Sequence, residues 1–430
     1  MTMGIYTGAI ALESLFQVSQ VFHVDKATAL WIMVWGVGGL GAIYAIFGGI
    51  KAIAVADTIN GVGLIVGGLM VTIFALLYVG DGNAWKGLID VYQTHPDKFN
   101  SIGSEDSLVP FSTLFTGLIV SNMFFWCTNQ SIVQKSLSAK NLAEGQKGVM
   151  LCALFKLIIP SIIILPGVIA FHIFSGQIDN PDNAYPALVQ LVLPNVLVGF
   201  FAAVVVGAVF STFSGGLNSS VTLFTVNIYK PRINPNATEA QAVAVGKYLG
   251  IGLSLATMII APLVANAPDG LFYLIQQLQG IFNAPILSVV LVGLMTKRVP
   301  PIAAKLGLLF GMSAYIIGNF ILDINLHFFH LVGILFVLNI LFMLTIGYFF
   351  PAESYQEVYT GQVDITPWSV VKPMGWLITL AVLSMYIFLA HNVPAYVMAL
   401  YYVFVAGILG YVFYRMGKEI VNRHGIRKIS

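Results

Sequence analysis

Charged side chains are scarce in this sequence. Lysine, arginine, aspartate and glutamate together make up 9% of its 430 residues, whereas a soluble globular chain carries about 25%. So few charges cannot cover a surface that faces water, which excludes a soluble enzyme and a disordered protein. The formal net charge of +2 is also too small to indicate nucleic acid or another polyanion as a partner.

Cysteine and catalytic motifs are nearly absent as well. The chain has 2 cysteines, Cys127 and Cys152, both in apolar runs, so neither a disulfide framework nor a Cys/His metal cluster is predicted. It has no phosphate-binding loop and no G-x-S-x-G motif, which are typical of phosphoryl transfer and of a serine nucleophile. We therefore expect no enzyme activity and no organic cofactor. An ion gradient is then the simplest energy source for transport.

Long apolar runs dominate what is present. Hydrophobic residues make up 58% of the chain and the mean hydropathy is +0.88. Since one helical crossing of a bilayer uses about 20 residues, this is enough for about twelve crossings. The runs are continuous rather than alternating, which favours helices over a β-barrel. We predict one all-α transmembrane domain over residues 1–430, with spans at 5–23, 29–49, 58–80, 111–131, 149–175, 195–228, 243–264, 270–296, 303–323, 329–350, 374–391 and 395–415.

The positive charges predict how these spans are oriented. Lysine and arginine concentrate after even-numbered spans, and cytoplasmic loops carry such an excess. The residues are Lys135, Lys140, Lys147, Lys230, Arg232, Lys247, Lys297, Arg298, Lys305, Arg415, Lys418, Arg423, Arg427 and Lys428. The loops at 81–110 and 176–194 are acidic or neutral. We therefore predict that both ends of this chain face the cytoplasm.

Ionisable groups inside membrane spans are candidates for function by default. Asp57 either caps the start of the third span or lines a cation exit route. Lys156, in the fifth span, either extends to the cytoplasmic interface or points into a polar cavity. His172, His327 and His330 lie near span ends without metal-binding spacing, and we expect them to be interfacial residues.

Uncharged polar groups cluster in three spans. In the fourth span, Asn122, Phe125, Trp126 and Asn129 lie within two turns, where they either bind a polar ligand or hydrogen-bond to other helices. In the sixth, Ser211 is one of many hydroxyls that either back-bond to the helix or offer hard oxygen ligands to Na⁺. In the eighth, Gln276, Gln277 and Gln279 face either a cavity or partner helices.

Three stretches resemble motifs of the solute:sodium symporters, a family that includes the sodium/glucose cotransporters. They are the glycine-rich segment from Tyr44 to Asn60, the run from Asn129 to Gly148, and the Ser/Thr-rich segment from Ser211 to Tyr229. The similarity is greatest to bacterial sugar-type members. It implies a leucine-transporter-like fold of two inverted five-helix repeats in the bacterial inner membrane.

The resemblance also implies which residues bind the coupling ion. Na⁺ would take the backbone carbonyl of Ala208 and the hydroxyls of Ser211 and Thr212, and Asp57 would lie on its cytoplasmic exit path. Asn60 departs from the family, which has glutamine at that position.

The solute site is implied in the same way. Asn122, Lys156 and Gln276 match sugar-binding residues of the family, Phe125 matches its inner-gate aromatic residue, and Phe272 matches an outer-gate phenylalanine. Sugar transporters have tyrosine at the position of Phe125, so the ring is kept here and the hydroxyl is lost.

The resemblance predicts Na⁺-coupled symport of a small polar solute, with a sugar as the first candidate, by alternating access in the lipid bilayer. A carboxylate, amino acid or vitamin is the alternative solute. The match begins partway through the family's third core helix, so we expect a truncated form or fragment. A transport-deficient fragment that acts as a membrane sensor or scaffold is therefore an alternative of another class. The oligomeric state stays open.

Overall fold

The computed structural model describes residues 1–105, 107–175, 177–178, 181–264, 271–322, 324–352, 363–390 and 393–426, and every regular element in these ranges is helical. The α-helices are α1 (Thr2–Phe16), α2 (Val18–Val21), α3 (Lys26–Val79), α4 (Ala84–Thr94), α5 (Gly117–Cys127), α6 (Gln130–Leu137), α7 (Leu142–Lys156), α8 (Leu165–Phe174), α9 (Ala184–Val192), α10 (Asn195–Phe224), α11 (Glu239–Ile260), α12 (Leu271–Met295), α13 (Pro301–Ile316), α14 (Phe328–Phe349), α15 (Val371–Leu389) and α16 (Ala395–Ile426). Single π-helical segments follow α10 (Thr225–Ile233) and α13 (Ile317–Ile321) and precede α8 (Pro160–Ile164).

Ten stretches of the described helices are long and apolar enough to cross a membrane, fewer than the twelve predicted. The predicted span at 5–23 is interrupted because Gln17 has a left-handed backbone, with φ of 49°, between α1 and α2. The predicted span at 111–131 contains only the 11 residues of α5 as continuous α-helix. Helix α5 ends at Cys127, because Asn129 begins a new helix as the N-cap of α6.

Helix α3 joins the second and third predicted spans in 54 continuous residues, and no proline interrupts it. Its contacts with α10 are Gly41 with Phe210, Asn60 with Gly207, Gly63 with Val204 and Gly67 with Phe201. On a straight helix Gly41 and Asn60 would lie about 28 Å apart, yet their partners are within one turn of α10. The backbone of α3 therefore bends sharply, and its two candidate spans, Lys26–Gly48 and Ile53–Val79, pass α10 separately.

The described contacts divide the chain into two compact units, each built from two stretches. Unit 1 comprises Met1–His95 and Pro160–Leu278, and unit 2 comprises Pro96–Ile159 and Gln279–Ser430. The sequence predicts one domain over 1–430, and this stays a prediction.

Neighbouring helices of unit 1 run in alternating directions. In α1, Gly4 contacts Thr212 and Gly8 contacts Val209 of α10, so the two helices are antiparallel. Helix α11 is antiparallel to α10 as well, because Gly246 contacts Val221 and Thr225 whereas Gly250 contacts Val221 and Leu217. Glycines at these crossings let the helices approach closely, as is typical of membrane bundles.

In unit 2, α5 and α14 are in backbone contact. A Cβ atom on Gly117 would overlap the carbonyl of Phe329, and one on Gly333 would lie 3.0 Å from the backbone of Thr116. Two buried amides join α12 to its neighbours. Asn283 donates to Ser121 Oγ at 2.9 Å, and Asn339 donates to Ser288 Oγ at 2.6 Å.

Candidate functional site

A cavity of about 790 Å³ lies between α5, α6 and α7 in unit 2. Its lining residues are Asn122, Trp126, Cys127, Ile132, Lys135, Ser136, Ala139, Glu144, Gly145, Gly148, Val149, Cys152, Ala153 and Lys156. The structure therefore brings together Asn122 and Lys156, two of the residues expected to bind the solute. A cavity of this size, mostly apolar with a few convergent polar groups, is typical of small-molecule sites.

Trp126 forms the aromatic wall of this cavity. Lys156 Nζ lies 4.1 Å from the centre of the Trp126 ring, which places the ammonium over the electron-rich face in a cation–π contact. Among the described residues, no carboxylate forms an ion pair with Lys156. The ammonium is therefore held in place while it keeps its hydrogen-bond donors for another group.

Asn122 lies one turn before Trp126 on α5. Its amide nitrogen donates to the carbonyl of Leu118 at 2.9 Å, so the side chain is oriented by its own helix. The amide oxygen keeps its capacity to accept a hydrogen bond. Asn122 and Lys156 thus offer one acceptor and one strong donor beside an aromatic face.

Phe125 is not among the residues that line the cavity. It contacts Trp126 edge-on, with ring centres 5.2 Å apart and planes at 78°. Asn129 also has a structural task, because its side-chain oxygen accepts from the backbone of Ser131 at 3.0 Å and caps α6. The role of Phe125 as a gate stays a prediction.

Sequence reasoning placed Trp126 in the polar cluster of the fourth span, and its position four residues after Asn122 puts both on one helix face, but the family resemblance assigned it no solute contact. It also assigned Cys127 and Cys152 only to apolar runs. Both cysteines are exposed free thiols, and both line this cavity.

The residues expected to bind Na⁺ lie in unit 1, on one turn of α10. Ala208 and Ser211 are half-buried, and Thr212 is exposed. The Ser211 carbonyl accepts a hydrogen bond from Ser214 Oγ at 3.1 Å. Hydroxyls and carbonyls are hard, uncharged oxygen donors, so this set has the chemistry that a small monovalent cation requires.

Asn60 joins α3 to α10 beside this turn. Its amide nitrogen donates to the carbonyl of Gly207 at 3.0 Å, and a Cβ atom on Gly207 would contact the Asn60 side chain too closely to fit. Asp57 lies one turn before Asn60, so the two share a face of α3. Sequence reasoning treated Asn60 only as a departure from the family and missed this contact.

Gln276 and Phe272 belong to α12 within unit 1, whereas Asn122 and Lys156 belong to unit 2. Gln276 is half-buried. The side chain of Phe272 lies outside the described part of the chain. For both residues the expected solute contact stays a prediction.

Comparisons with known proteins agree with this architecture. The model of the Sodium:solute symporter family matches residues 1–311. The uncharacterized symporter YidK of Escherichia coli (strain K12) is 42% identical over 389 residues, which cover 90% of this chain and 68% of that protein. The sodium/glucose cotransporter of Vibrio parahaemolyticus is 31% identical over 329 residues, which cover 71% of this chain and 58% of that protein. The chain therefore spans about three fifths to two thirds of these relatives.

A solved structure of a Na⁺-coupled sialic acid symporter in a substrate-bound outward-open state superposes on this chain with a TM-score of 0.65 and 18% sequence identity. The superposition covers 82% of this chain and 74% of the symporter chain. This likeness confirms the predicted all-helical, leucine-transporter-like fold. The relatives are transporters rather than enzymes, as predicted. By its family match and its similarity to YidK, this multi-pass membrane chain belongs to the sodium:solute symporter family.

Proposed function

We propose that this chain contains the solute and ion sites of a Na⁺-coupled symporter for a small polar solute, with a sugar as the first candidate. The cavity that holds Trp126, Asn122 and Lys156 carries this proposal. An aromatic face can pack against the C–H face of a sugar ring. The amide and the ammonium can bind its hydroxyls at the edge.

Na⁺ supplies the driving force in this proposal. It would bind at Ala208, Ser211 and Thr212 from the outer side and stabilise a state with higher solute affinity. By thermodynamic linkage, the solute then raises Na⁺ affinity by the same factor. Release into the cytoplasm would lead Na⁺ past Asp57, whose carboxylate attracts a cation.

We place the chain in a bacterial inner membrane with both of its ends in the cytoplasm. Loops of the same predicted face contact each other in unit 2. Ser101 N donates to the Leu389 carbonyl at 3.0 Å on the predicted outer face, and Ala352 N donates to the Arg298 carbonyl at 2.8 Å on the predicted inner face. The excess of lysine and arginine in the inner loops supports this orientation.

A carboxylate is the second candidate solute, because Lys156 has no carboxylate partner among the described residues and Lys135 lines the same cavity. An anion would form a charge-assisted hydrogen bond with Lys156, roughly twice as strong as a neutral one.

Solute uptake by proteoliposomes tests both candidates. The purified chain is given labelled sugars, carboxylates and amino acids under an inward Na⁺ gradient, with a K⁺ gradient as control. We expect Na⁺-dependent uptake of a sugar. Lys156→Gln should raise its KM about tenfold, the loss of one good hydrogen bond. For a carboxylate solute, the same substitution should raise KM about a hundredfold, because the charge partner of the solute is removed.

The matched control is Lys140→Gln, which removes the same charge from an exposed position outside the cavity lining. It should leave KM unchanged. Absence of Na⁺-dependent uptake for every solute would contradict the proposed function.

A further inference from the structure

A second cavity, of about 280 Å³, lies in unit 1 between α3, α10, the π-helical segment that follows α10, and α11. Its lining residues are Ala45, Ile46, Leu217, Asn218, Val221, Thr222, Thr225, Val226, Lys230, Glu239, Ala242, Val243, Gly246, Lys247 and Gly250. We call it the α10–α11 cleft. None of the residues assigned to the solute or to Na⁺ lines it.

The polar groups of this cleft carry an excess of positive charge. Lys230 pairs with Glu239 at 2.5 Å, which neutralises both. Lys247 Nζ lies 5.5 Å from the centre of the Phe47 ring, and among the described residues it has no carboxylate partner. The cation–π contact holds this ammonium in position without neutralising it.

The inner wall of the cleft is apolar, with isolated hydroxyl groups. Gly246 and Gly250 open it, since a Cβ atom on Gly246 would lie 2.9 Å from Val221 Cγ1. Thr225 Oγ1 is buried with no hydrogen-bond partner in the described part of the chain. A ligand that fits this lining has an apolar body and an anionic, hydrogen-bonding end.

The length of α11 places the side chain of Lys247 within reach of the membrane surface. The candidate span Glu239–Leu263 has 25 residues and is about 37 Å long, whereas the hydrocarbon core is about 30 Å thick. The excess of about 7 Å places at most about one turn at the start of the span in the headgroup region. Lys247, eight residues after Glu239, lies about 12 Å along the helix, so its backbone is about 5 Å or more inside the hydrocarbon core and its side chain can extend to the headgroups.

We propose that the α10–α11 cleft binds one anionic phospholipid, with its phosphate near Lys247 and an acyl chain along the apolar wall. Basic pockets between membrane helices bind anionic headgroups in this manner. The bound lipid would join the middle of α3 to the end of α10 and the start of α11. This inference depends on the membrane placement of unit 1 and not on the identity of the solute.

Native mass spectrometry of the detergent-purified chain tests the proposal, with dioleoyl phosphatidylglycerol and dioleoyl phosphatidylcholine as probes. We expect one tightly retained phosphatidylglycerol and no retained phosphatidylcholine. Lys247→Gln should weaken phosphatidylglycerol binding about fivefold, since a lysine near an anionic membrane surface contributes about 1 kcal/mol. Lys247→Arg should keep the binding, because it keeps the charge.

Lys140→Gln is the matched control for charge, and the unfolding temperature of each variant without added lipid reports whether it is folded. Equal retention of the two phospholipids would overturn the proposal, as would unchanged phosphatidylglycerol binding in folded Lys247→Gln. Glycerol 1-phosphate is the third probe. If it displaced phosphatidylglycerol at equal concentration, the site would recognise a free phosphate, and the lipid assignment would be wrong.

Discussion

At the scale of single residues, Trp126 supplies the aromatic face of the proposed solute cavity. It contacts both Lys156 and Phe125. Trp126→Leu should raise the solute KM about tenfold, because it removes the aromatic face and a cation–π contact worth about 1 kcal/mol. Trp126→Phe should have a smaller effect. Uptake kinetics in proteoliposomes measure both, and Trp85→Leu, at an exposed position in α4, is the control. Equal KM values for Trp126→Leu and Trp85→Leu would exclude Trp126 from the site.

Ser211 is the residue-scale test of the ion site. Ser211→Ala removes one proposed Na⁺ ligand, and we expect the Na⁺ concentration for half-maximal uptake to rise about tenfold, the loss of one hydrogen-bond-strength contact to a charge. Ser220→Ala is the matched control, since Ser220 lies on the same helix and its hydroxyl donates to the Gly216 carbonyl of that helix at 2.9 Å. A Na⁺ dependence shifted equally in both variants would show that Ser211 is not a ligand.

Sequence reasoning placed Trp126 in the same polar cluster as Asn122 but did not connect it with Lys156. The positions of Asn122 and Trp126, one helical turn apart, are visible in the sequence. The contact of Lys156 with Trp126 joins residues 30 positions apart across α5 and α7, and no local pattern predicts it. For the same reason Asn60 became meaningful only through its contact with Gly207.

At the scale of elements, the crossing of α5 and α14 depends on Gly117. A methyl group there would overlap the Phe329 carbonyl, which is backbone and cannot rotate away. Gly117→Ala should lower the free energy of unfolding by about 1–3 kcal/mol, the usual cost of overpacking. Thermal unfolding in detergent measures this. Gly293→Ala, with open space around the added methyl, should be neutral or stabilising. Equal stability of the two variants would contradict this description of the crossing.

The start of α14 should be sensitive to pH. His327 Nδ1 accepts the Phe329 N–H at 3.3 Å, and Nε2 lies 3.3 Å from the Leu108 carbonyl, so neutral His327 caps the helix. Burial lowers the pKa of His327 below its usual value, and nearby His330 lowers it further, although the hydrogen bond to Leu108 acts in the opposite direction.

The folded state therefore binds this proton less readily than the unfolded state. The stabilising contribution of neutral His327 is complete above about pH 6.5, the usual histidine pKa. It is lost as the pH falls through that value towards the lower pKa of the folded state. The unfolding temperature should decrease as the pH is lowered from about 7.5 to about 5.5. His327→Asn keeps a capping acceptor without a titrating group. The unfolding temperature of this variant should therefore decrease less over the same pH range. The same pH dependence in both proteins would show that His327 is not responsible.

The type of the elements was predictable, because long apolar runs leave helices as the main solution in lipid. The interruptions were not. The left-handed Gln17 and the capping Asn129 divide runs whose hydropathy is continuous, and the bend of α3 depends on its packing against α10. The first two are local backbone and side-chain features that a hydropathy profile does not contain, and the bend of α3 involves tertiary contacts with α10.

At the scale of the whole molecule, the cavity proposed for the solute and the turn proposed for Na⁺ belong to different compact units. The cavity with Trp126 belongs to unit 2, and the ion-binding turn of α10 belongs to unit 1. Alternating access requires that Na⁺ binding in one unit changes the affinity of the other for solute. The proposed function therefore requires coupling between two separate sites.

The cysteines Cys127 and Cys152 allow this coupling to be measured without transport. Both are exposed thiols on the wall of the proposed solute cavity, so a bound solute should shield them from N-ethylmaleimide. The rate of alkylation is followed by mass spectrometry on the purified chain and on Cys127→Ala and Cys152→Ala, with a panel of sugars and carboxylates, in Na⁺ or in choline.

We predict that one sugar slows alkylation of both thiols about tenfold in Na⁺ and much less in choline, in line with a coupling free energy of about 1–3 kcal/mol. Ser211→Ala should abolish the difference between the two salts. Alkylation that no solute slows, or that a solute slows equally in Na⁺ and in choline, would contradict the account.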